Sequence, residues 1–280
     1  MITGEVLLPL RYPIDLALTV ASHGWASLAP WRWSPDAGIL ERNEQVDGQL
    51  GRVAIGQSDT AEITVKWEGF GRPPEAAVIC RVRRWLSVDW DPTQAIATLG
   101  EQGELIRRGA GRILRCSSFY EDFVKTVLTI NTAWSATRRM AAALVSEPGG
   151  GAFPLPGAIL DYGEARMRER AKLGFRAATI LSATRRMLDD GVMDQNGGGR
   201  PDYEYLIGLR GIGPYAAAHS RLLLHDFSRL PVDSVVTAYL RDRHASDPAA
   251  FAVSNAGWGA YLALGYRLAR LREKLDLSPA

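Results

Sequence analysis

The chain of 280 residues is poor in the residues that build metal centres and covalent staples: it has two cysteines and four histidines. Cys80 and Cys116 stand too far apart for a zinc knuckle, an iron–sulfur motif or a disulfide framework, so a reduced, cytoplasmic setting is expected. Long apolar runs are lacking as well. Nothing reaches the roughly 18 uninterrupted apolar residues of a membrane span. The partly apolar N-terminus is broken by Arg11, Pro13 and Asp15, which argues against a signal peptide. Charge of one sign is equally scarce. With 33 basic and 31 acidic residues, the net charge of +2 gives no strong field. Residues 89–280 are mildly basic, 24 against 21, and residues 1–88 carry 9 against 10. That balance permits a nucleic-acid partner without requiring one.

What is present is the composition of a globular protein, 46% hydrophobic and 23% charged. The length suffices for two domains. Residues 1–88 read as a β-rich domain: GEVLLPL, GRVAIGQ, AEITVKWEG and AAVICRVRRWL are short β-prone segments between Gly, Asp and Pro. DLALTVASHGWAS (15–27) reads as a short helix and turn packed on that sheet. From SVDWDPTQAIATLG onward the texture is helical. In FYEDFVKTVLTI (119–130), Phe119, Phe123 and Val127 form one apolar stripe. SATRRMAAALV, EARMRERAKLG, RAATILSATRRMLDDG and GWGAYLALGYRLARLREKL follow the same pattern. EPGGGAFPLPG (147–157) and DQNGGGRPD (194–202) are loops by composition, and the triple glycine of the first has no role legible in sequence. The expected fold class is therefore α+β, an antiparallel sheet domain followed by an all-α domain over 89–280, with a site in the cleft between them.

One stretch carries a chemical signal. In YEYLIGLRGIGPYAAAH (203–219) a short helix ends, Arg210-Gly211-Ile212-Gly213 turns, and Pro214 opens a second helix at its favoured first position. Free amides of Ile212, Gly213 and the first turn would converge on one spot, suited to a backbone phosphate. Alone, such a turn also describes a plain helix corner with a glycine cap. Downstream, LPVDS (230–234) puts Asp233 where the next helix begins, and Asp233 alone also reads as an ordinary N-cap. The combination of hairpin, helix and Pro-Val-Asp is much rarer than either part.

That combination resembles the helix-hairpin-helix DNA glycosylase superfamily, in the branch of 8-oxoguanine and 3-methyladenine glycosylases that lacks an iron–sulfur cluster. The resemblance extends to DLALTVASHGWASLAPWRW (15–33), RILRCSSFYEDFVKTVLTINTAWSATRRMAAAL (112–144), KLGFRAATILSATRRM (172–187) and NAGWGAYLALGYRL (255–268). It implies a TATA-box-binding-protein-like sheet domain and a base-excision enzyme acting on double-stranded DNA as a monomer. It makes Asp233 the catalytic acid/base. Bifunctional members carry Lys two residues after the second hairpin glycine; here Tyr215 stands there, which implies hydrolysis by water and no lyase step. Tyr215 then lines the base pocket or packs a domain interface. The resemblance further implies DNA contacts from Arg210, Gly211, Ile212 and Gly213, with Asn131 facing the estranged partner base. Trp134 either wedges into the duplex or packs beneath its loop. Base-pocket candidates are His219, Trp258, Tyr261, Leu264 and Trp33, with Trp25 and Trp31 as further options for pocket or core. Ala260 occupies the place of the Gln that reads 8-oxoguanine, so an aromatic wall favouring cationic, alkylated purines is expected, ahead of oxidised or deaminated bases. A non-catalytic damaged-DNA-binding protein is the alternative of a different class. Main-chain carbonyls of Ile207, Leu209 and Ile212 are implied ligands of a structural monovalent cation, and no cofactor is required.

Overall fold

A computed structural model describes residues 2–274. Strand β1 (Ile2–Pro9) leads through α1 (Leu16–Val20) and a 3-10 turn at Gly24–Ser27 into β2 (Trp31–Ser34), β3 (Ile39–Val46), β4 (Gln49–Gly56) and β5 (Glu62–Phe70). The sheet order is β1-β5-β4-β3-β2, antiparallel at every pairing, with Val6 opposite Val65 and Arg42 opposite Val53. Helices follow: α2 (Glu75–Trp85), α3 (Thr93–Thr98), α4 (Glu101–Arg107), α5 (Phe119–Leu128), α6 (Trp134–Ser146), α7 (Pro156–Glu169) and α8 (Arg176–Asp189). The chain continues through α9 (Tyr203–Ile207), α10 (Pro214–Leu222), α11 (Ser234–His244), α12 (Pro248–Ser254) and α13 (Leu262–Lys274). No helix among the described residues is long and apolar enough to cross a membrane. The α+β class expected from sequence is the one observed.

Two local expectations are corrected. AAVICRVRRWL forms helix α2 instead of a strand: Val78, Val82 and Trp85, spaced i, i+4, i+7, are the residues it buries. Two strands escaped notice, β2 and β3. In β3 the inward positions are Leu40, Arg42, Glu44 and Val46, so half of the core-facing alternation is charged and the period-2 apolar signal vanishes.

Those inward charges join the sheet to the helices. Arg42 is fully buried and holds Glu44 Oε2 and Glu121 Oε2, each at 2.9 Å, while Lys125 holds Glu121 Oε1 at 2.9 Å. The Arg42 guanidinium also lies over the Trp31 ring at 4.6 Å. Helix α5, which carries Glu121 and Lys125, is buried along its whole length, so the Phe119–Val127 stripe understates its burial. One contiguous apolar core runs from Leu8 in the sheet to Leu268 in α13. The triple glycine has a structural role: Gly150 and Gly151 take φ of 58° and 109°, and Asn43 of β3 donates to the Gly151 carbonyl at 3.2 Å.

Candidate active site at the hairpin

The hairpin begins with Asp202, whose Oδ1 accepts the Tyr205 N–H at 2.7 Å and caps α9. Its turn closes by the Ile212 N–H donating to Leu209 O at 3.1 Å. The Ile212 amide, expected to be free for a phosphate, is therefore spent inside the turn, and its side chain is buried. Gly211 has φ of +83°, and a Cβ there would lie 2.6 Å from Thr179 Oγ1 of α8. Conformation and packing both demand glycine. Gly213 differs: its φ of −99° suits any residue, and a Cβ would meet nothing within 4 Å. What its missing side chain leaves is open space before the first turn of α10. There the N–H groups of Gly213, Tyr215 and Ala216 find no partner among the described residues. Arg210 is exposed and likewise unpaired among the described residues.

Beside the hairpin lies a cavity of about 800 Å3. It is walled by Ser22, His23, Gly24 and Trp25 on the sheet side, and by α10, the start of α11 and one face of α13. Of the residues expected in the base pocket, Tyr215, His219 and Leu264 line it, together with Asp233 and with Gly211, Gly213, Asn131 and Trp134, which were expected to contact DNA. Asp233 caps α11, with Oδ1 accepting the Val236 N–H at 2.7 Å. No protein group engages its other oxygen among the described residues. LPVDS thus places a half-buried carboxylate at the cavity by an ordinary capping geometry.

The wall is a contiguous set of rings. Trp25, 2% exposed, donates through Nε1 to Asp122 Oδ1 at 3.0 Å. It stacks on His23 at 4.7 Å and meets His219 edge-on at 5.1 Å. Tyr215 stacks on His219 at 5.8 Å. Burial, reinforced by the charge of Arg267, pushes the His219 pKa down to about 3, and burial likewise holds His23 well below its usual range. Both rings are neutral at physiological pH. Burial also raises the Tyr215 pKa, which keeps its hydroxyl protonated.

Several expected wall residues are elsewhere. Trp258 rests on Gly265, where a Cβ would lie 2.3 Å from its ring, and meets Phe251 edge-on at 5.9 Å in a separate small core with Val236, Leu240 and Tyr266. Tyr261 bonds Gln94 Oε1 at 3.2 Å and packs toward Phe227. Trp33 is half-buried on edge strand β2, and Trp31 is core. None of the four lines the cavity. Trp134 is 42% exposed, but its Nε1 donates to Ser27 Oγ at 3.1 Å and its ring lies on Gly24, so it packs against the 24–27 turn and does not stand out as a wedge. Asn131 is exposed with φ of 47°, held by Arg176 of α8, which donates to the carbonyls of Ile130 and Asn131. Phe175, 51% exposed, lies at the start of the same helix.

Sequence reading missed Arg267, whose Nη1 donates to Ser22 O at 2.9 Å within the cavity wall. The signal was available: Leu264, Arg267, Leu268 and Leu271 fall at i, i+3, i+4 and i+7 on α13, and all four line the cavity. Lys274, exposed at the far end of this helix, is the one lysine among the described lining residues.

No family model matches this chain. No curated protein matches it either. Solved structures do. A 3-methyladenine DNA glycosylase from Archaeoglobus fulgidus superposes with a TM-score of 0.71 at 17% identity, covering 97% of this chain and 99% of that one. The apo form of an 8-oxoguanine glycosylase/lyase from Clostridium acetobutylicum gives 0.68 at 14% identity, covering 94% of both. The latter enzyme bound to double-stranded DNA with cytosine opposite 8-oxoguanine gives 0.66, again at 14%. Over nearly its whole length, the chain has the fold shared by 3-methyladenine and 8-oxoguanine DNA glycosylases.

Proposed function

We propose that the protein is a monofunctional DNA N-glycosylase of base excision repair. In this reading it binds double-stranded DNA, draws a damaged base out of the stack into the 800 Å3 cavity and hydrolyses its bond to deoxyribose, leaving an abasic site. The observation that carries the reading is Asp233, a carboxylate with one uncommitted oxygen, sharing a cavity with neutral aromatic rings and flanked by the open amides at Gly213. Departure of the base develops positive charge on the sugar. A carboxylate at that position stabilises the charge and orients or activates the attacking water. The hairpin amides and exposed Arg210 hold the strand by its phosphates, and Asn131 with Phe175 faces the duplex near the vacated position. Tyr215 cannot form an imine, and Lys274 is exposed at the rim, so water is the nucleophile. A monovalent cation would be held by the carbonyls of Ile207, Leu209 and Ile212. Those of Ile207 and Ile212 accept no hydrogen bond among the described residues, which suits them to the task.

An alkylated purine is the first substrate, supported by stacking against Trp25, His219 and Tyr215. A second reading, an oxidised base, is favoured by Arg267: its cation opposes a positively charged base and offers donors to a carbonyl.

The test uses duplexes each carrying one lesion, incubated with protein and then with alkali. Alkali-dependent cleavage that disappears in Asp233→Asn is the expected result. Cleavage without alkali, or a borohydride-trapped adduct lost in Lys274→Ala, would replace monofunctional chemistry with a lyase using Lys274. Binding without release of any base would leave a damaged-DNA-binding protein.

A further inference from the structure

Two side chains of the cavity wall have their protons directed away from it. Thr126 Oγ1 donates its only proton to Asp122 O at 2.8 Å, one turn back along α5. The same oxygen lies 3.1 Å from His219 Nδ1, and with its proton committed it can only accept. With the threonine proton on the carbonyl at the shorter contact, His219 takes the Nδ1–H tautomer and has a bare lone pair on Nε2, which has no protein partner among the described residues. The pattern repeats one turn further on. Thr129 Oγ1 lies 2.6 Å from Thr126 O and 3.3 Å from Tyr215 Oη, and with its proton on the carbonyl at the shorter contact the tyrosine donates to the threonine and keeps its lone pairs. Because His219 is neutral, no second ring proton restores a donor at physiological pH.

We infer that His219 Nε2 and Tyr215 Oη read the extruded base as a pair of acceptors, so that the cavity selects bases carrying at least two N–H hydrogens and rejects deaminated ones. The inference rests on the glycosylase reading of this site and narrows its substrate class. Adenine-type bases offer two hydrogens on the exocyclic amine, and guanine-type bases offer the ring N1–H and the amine, whether alkylated or oxidised. Hypoxanthine and uracil carry a single ring N–H once attached to the sugar. With either, one acceptor stays unpaired in a buried wall or meets a carbonyl oxygen, which costs roughly tenfold to a hundredfold in recognition. Arg267, which lines the cavity with Arg112, Arg270 and Lys274, offers a charged donor to the carbonyl of such a base and leaves the second acceptor unpaired. Thr126, which does not line the cavity, is a positioning residue that sets where the His219 proton lies, and Thr129, at the cavity wall, does the same for Tyr215.

Two measurements on the full chain test this. In the protein labelled with 15N-histidine at pH 7, the His219 signals, identified by their loss in His219→Gln, are expected to show a protonated Nδ1 and a pyridine-type Nε2. Added 9-methyladenine, which has only its two amine hydrogens, should shift the Nε2 signal upfield by hydrogen bonding, and 9-methylhypoxanthine, which has one ring N–H, should bind at least about tenfold more weakly. On lesion duplexes, release of 7-methylguanine or 8-oxoguanine should exceed release of hypoxanthine and uracil, and Thr126→Val should narrow that ratio about tenfold by freeing the tautomer. An Nε2–H tautomer, or equal binding of 9-methyladenine and 9-methylhypoxanthine, overturns the inference even if Thr126→Val does not fold. Absence of base release from every duplex rejects the glycosylase reading instead, and the spectra and free-base binding still decide the proton order.

Discussion

Asp233 serves two ends with one carboxylate, and its two oxygens separate them. Oδ1 caps α11 through the Val236 N–H. The other oxygen is available to the reaction. Asn keeps the cap and loses the charge, so Asp233→Asn should retain fold and DNA binding while single-turnover base release falls about a hundredfold or more. Asp233→Ala should lose release equally and in addition about 1 kcal/mol of stability, read by denaturant unfolding. Parallel loss of stability and activity in both variants would make Asp233 a cap and nothing more. Asp233 was legible because capping is local chemistry. Arg267 was not, because its place in the wall depends on how α13 faces α1 and the Ser22 carbonyl, a meeting of segments 245 positions apart.

At the scale of elements, the hairpin separates two glycines that look alike in sequence. Gly211→Val forces a branched residue into φ of +83° against Thr179, and should cost several kcal/mol and impair folding. Gly213→Val meets open space at an ordinary φ, so thermal unfolding should be unchanged while affinity for duplex DNA drops about tenfold, as measured by fluorescence anisotropy. Equal affinities would remove the first turn of α10 from the DNA interface. Period and punctuation exposed most helices, but α2 and β3 defeated them. Val78, Val82 and Trp85 are β-prone by type and helical only by spacing, and Arg42 and Glu44 occupy the inward positions of a strand.

Across the whole molecule, the charges at the junction of sheet and helices set the response to mutation and acid. Glu121 neutralises both Arg42 and Lys125, and these guanidinium and ammonium charges hold its pKa near 2 against the opposing effect of burial. Glu121→Leu leaves the buried Lys125 without its carboxylate and Arg42 with Glu44 alone, and should destabilise by about 3–5 kcal/mol in denaturant unfolding. The histidines dominate the first part of the acid response. His219 and His225 are held near 3 chiefly by burial, and His23 is also depressed, so each takes a proton more readily unfolded than folded. Their contribution is complete above the unfolded value of about 6.5 and is lost as pH falls toward 3, at roughly 1.4 kcal/mol per pH unit for each ring. Glu121 adds its loss from about pH 4.5 down toward 2. Thermal midpoints from pH 8 to 4 should fall from near pH 6.5, and His219→Gln should flatten the slope. A midpoint constant down to pH 5 would mean that these rings are solvated.

The sequence by itself determined the hairpin, the capping aspartate and the helical texture after residue 88, because turn chemistry, capping and the 3.6-residue period act over a few residues. The tertiary structure alone decided which rings form the wall. Trp258 and Tyr261 were as good candidates as Trp25 by residue type, yet Gly265 gives Trp258 a seat in another core, Gln94 holds Tyr261, and Asp122 fixes Trp25 beside His219. The direction of two protons, through Thr126 and Thr129, belongs to the same category. A hydroxyl's partners are set by how α5 packs on α10, and no spacing along the chain encodes that.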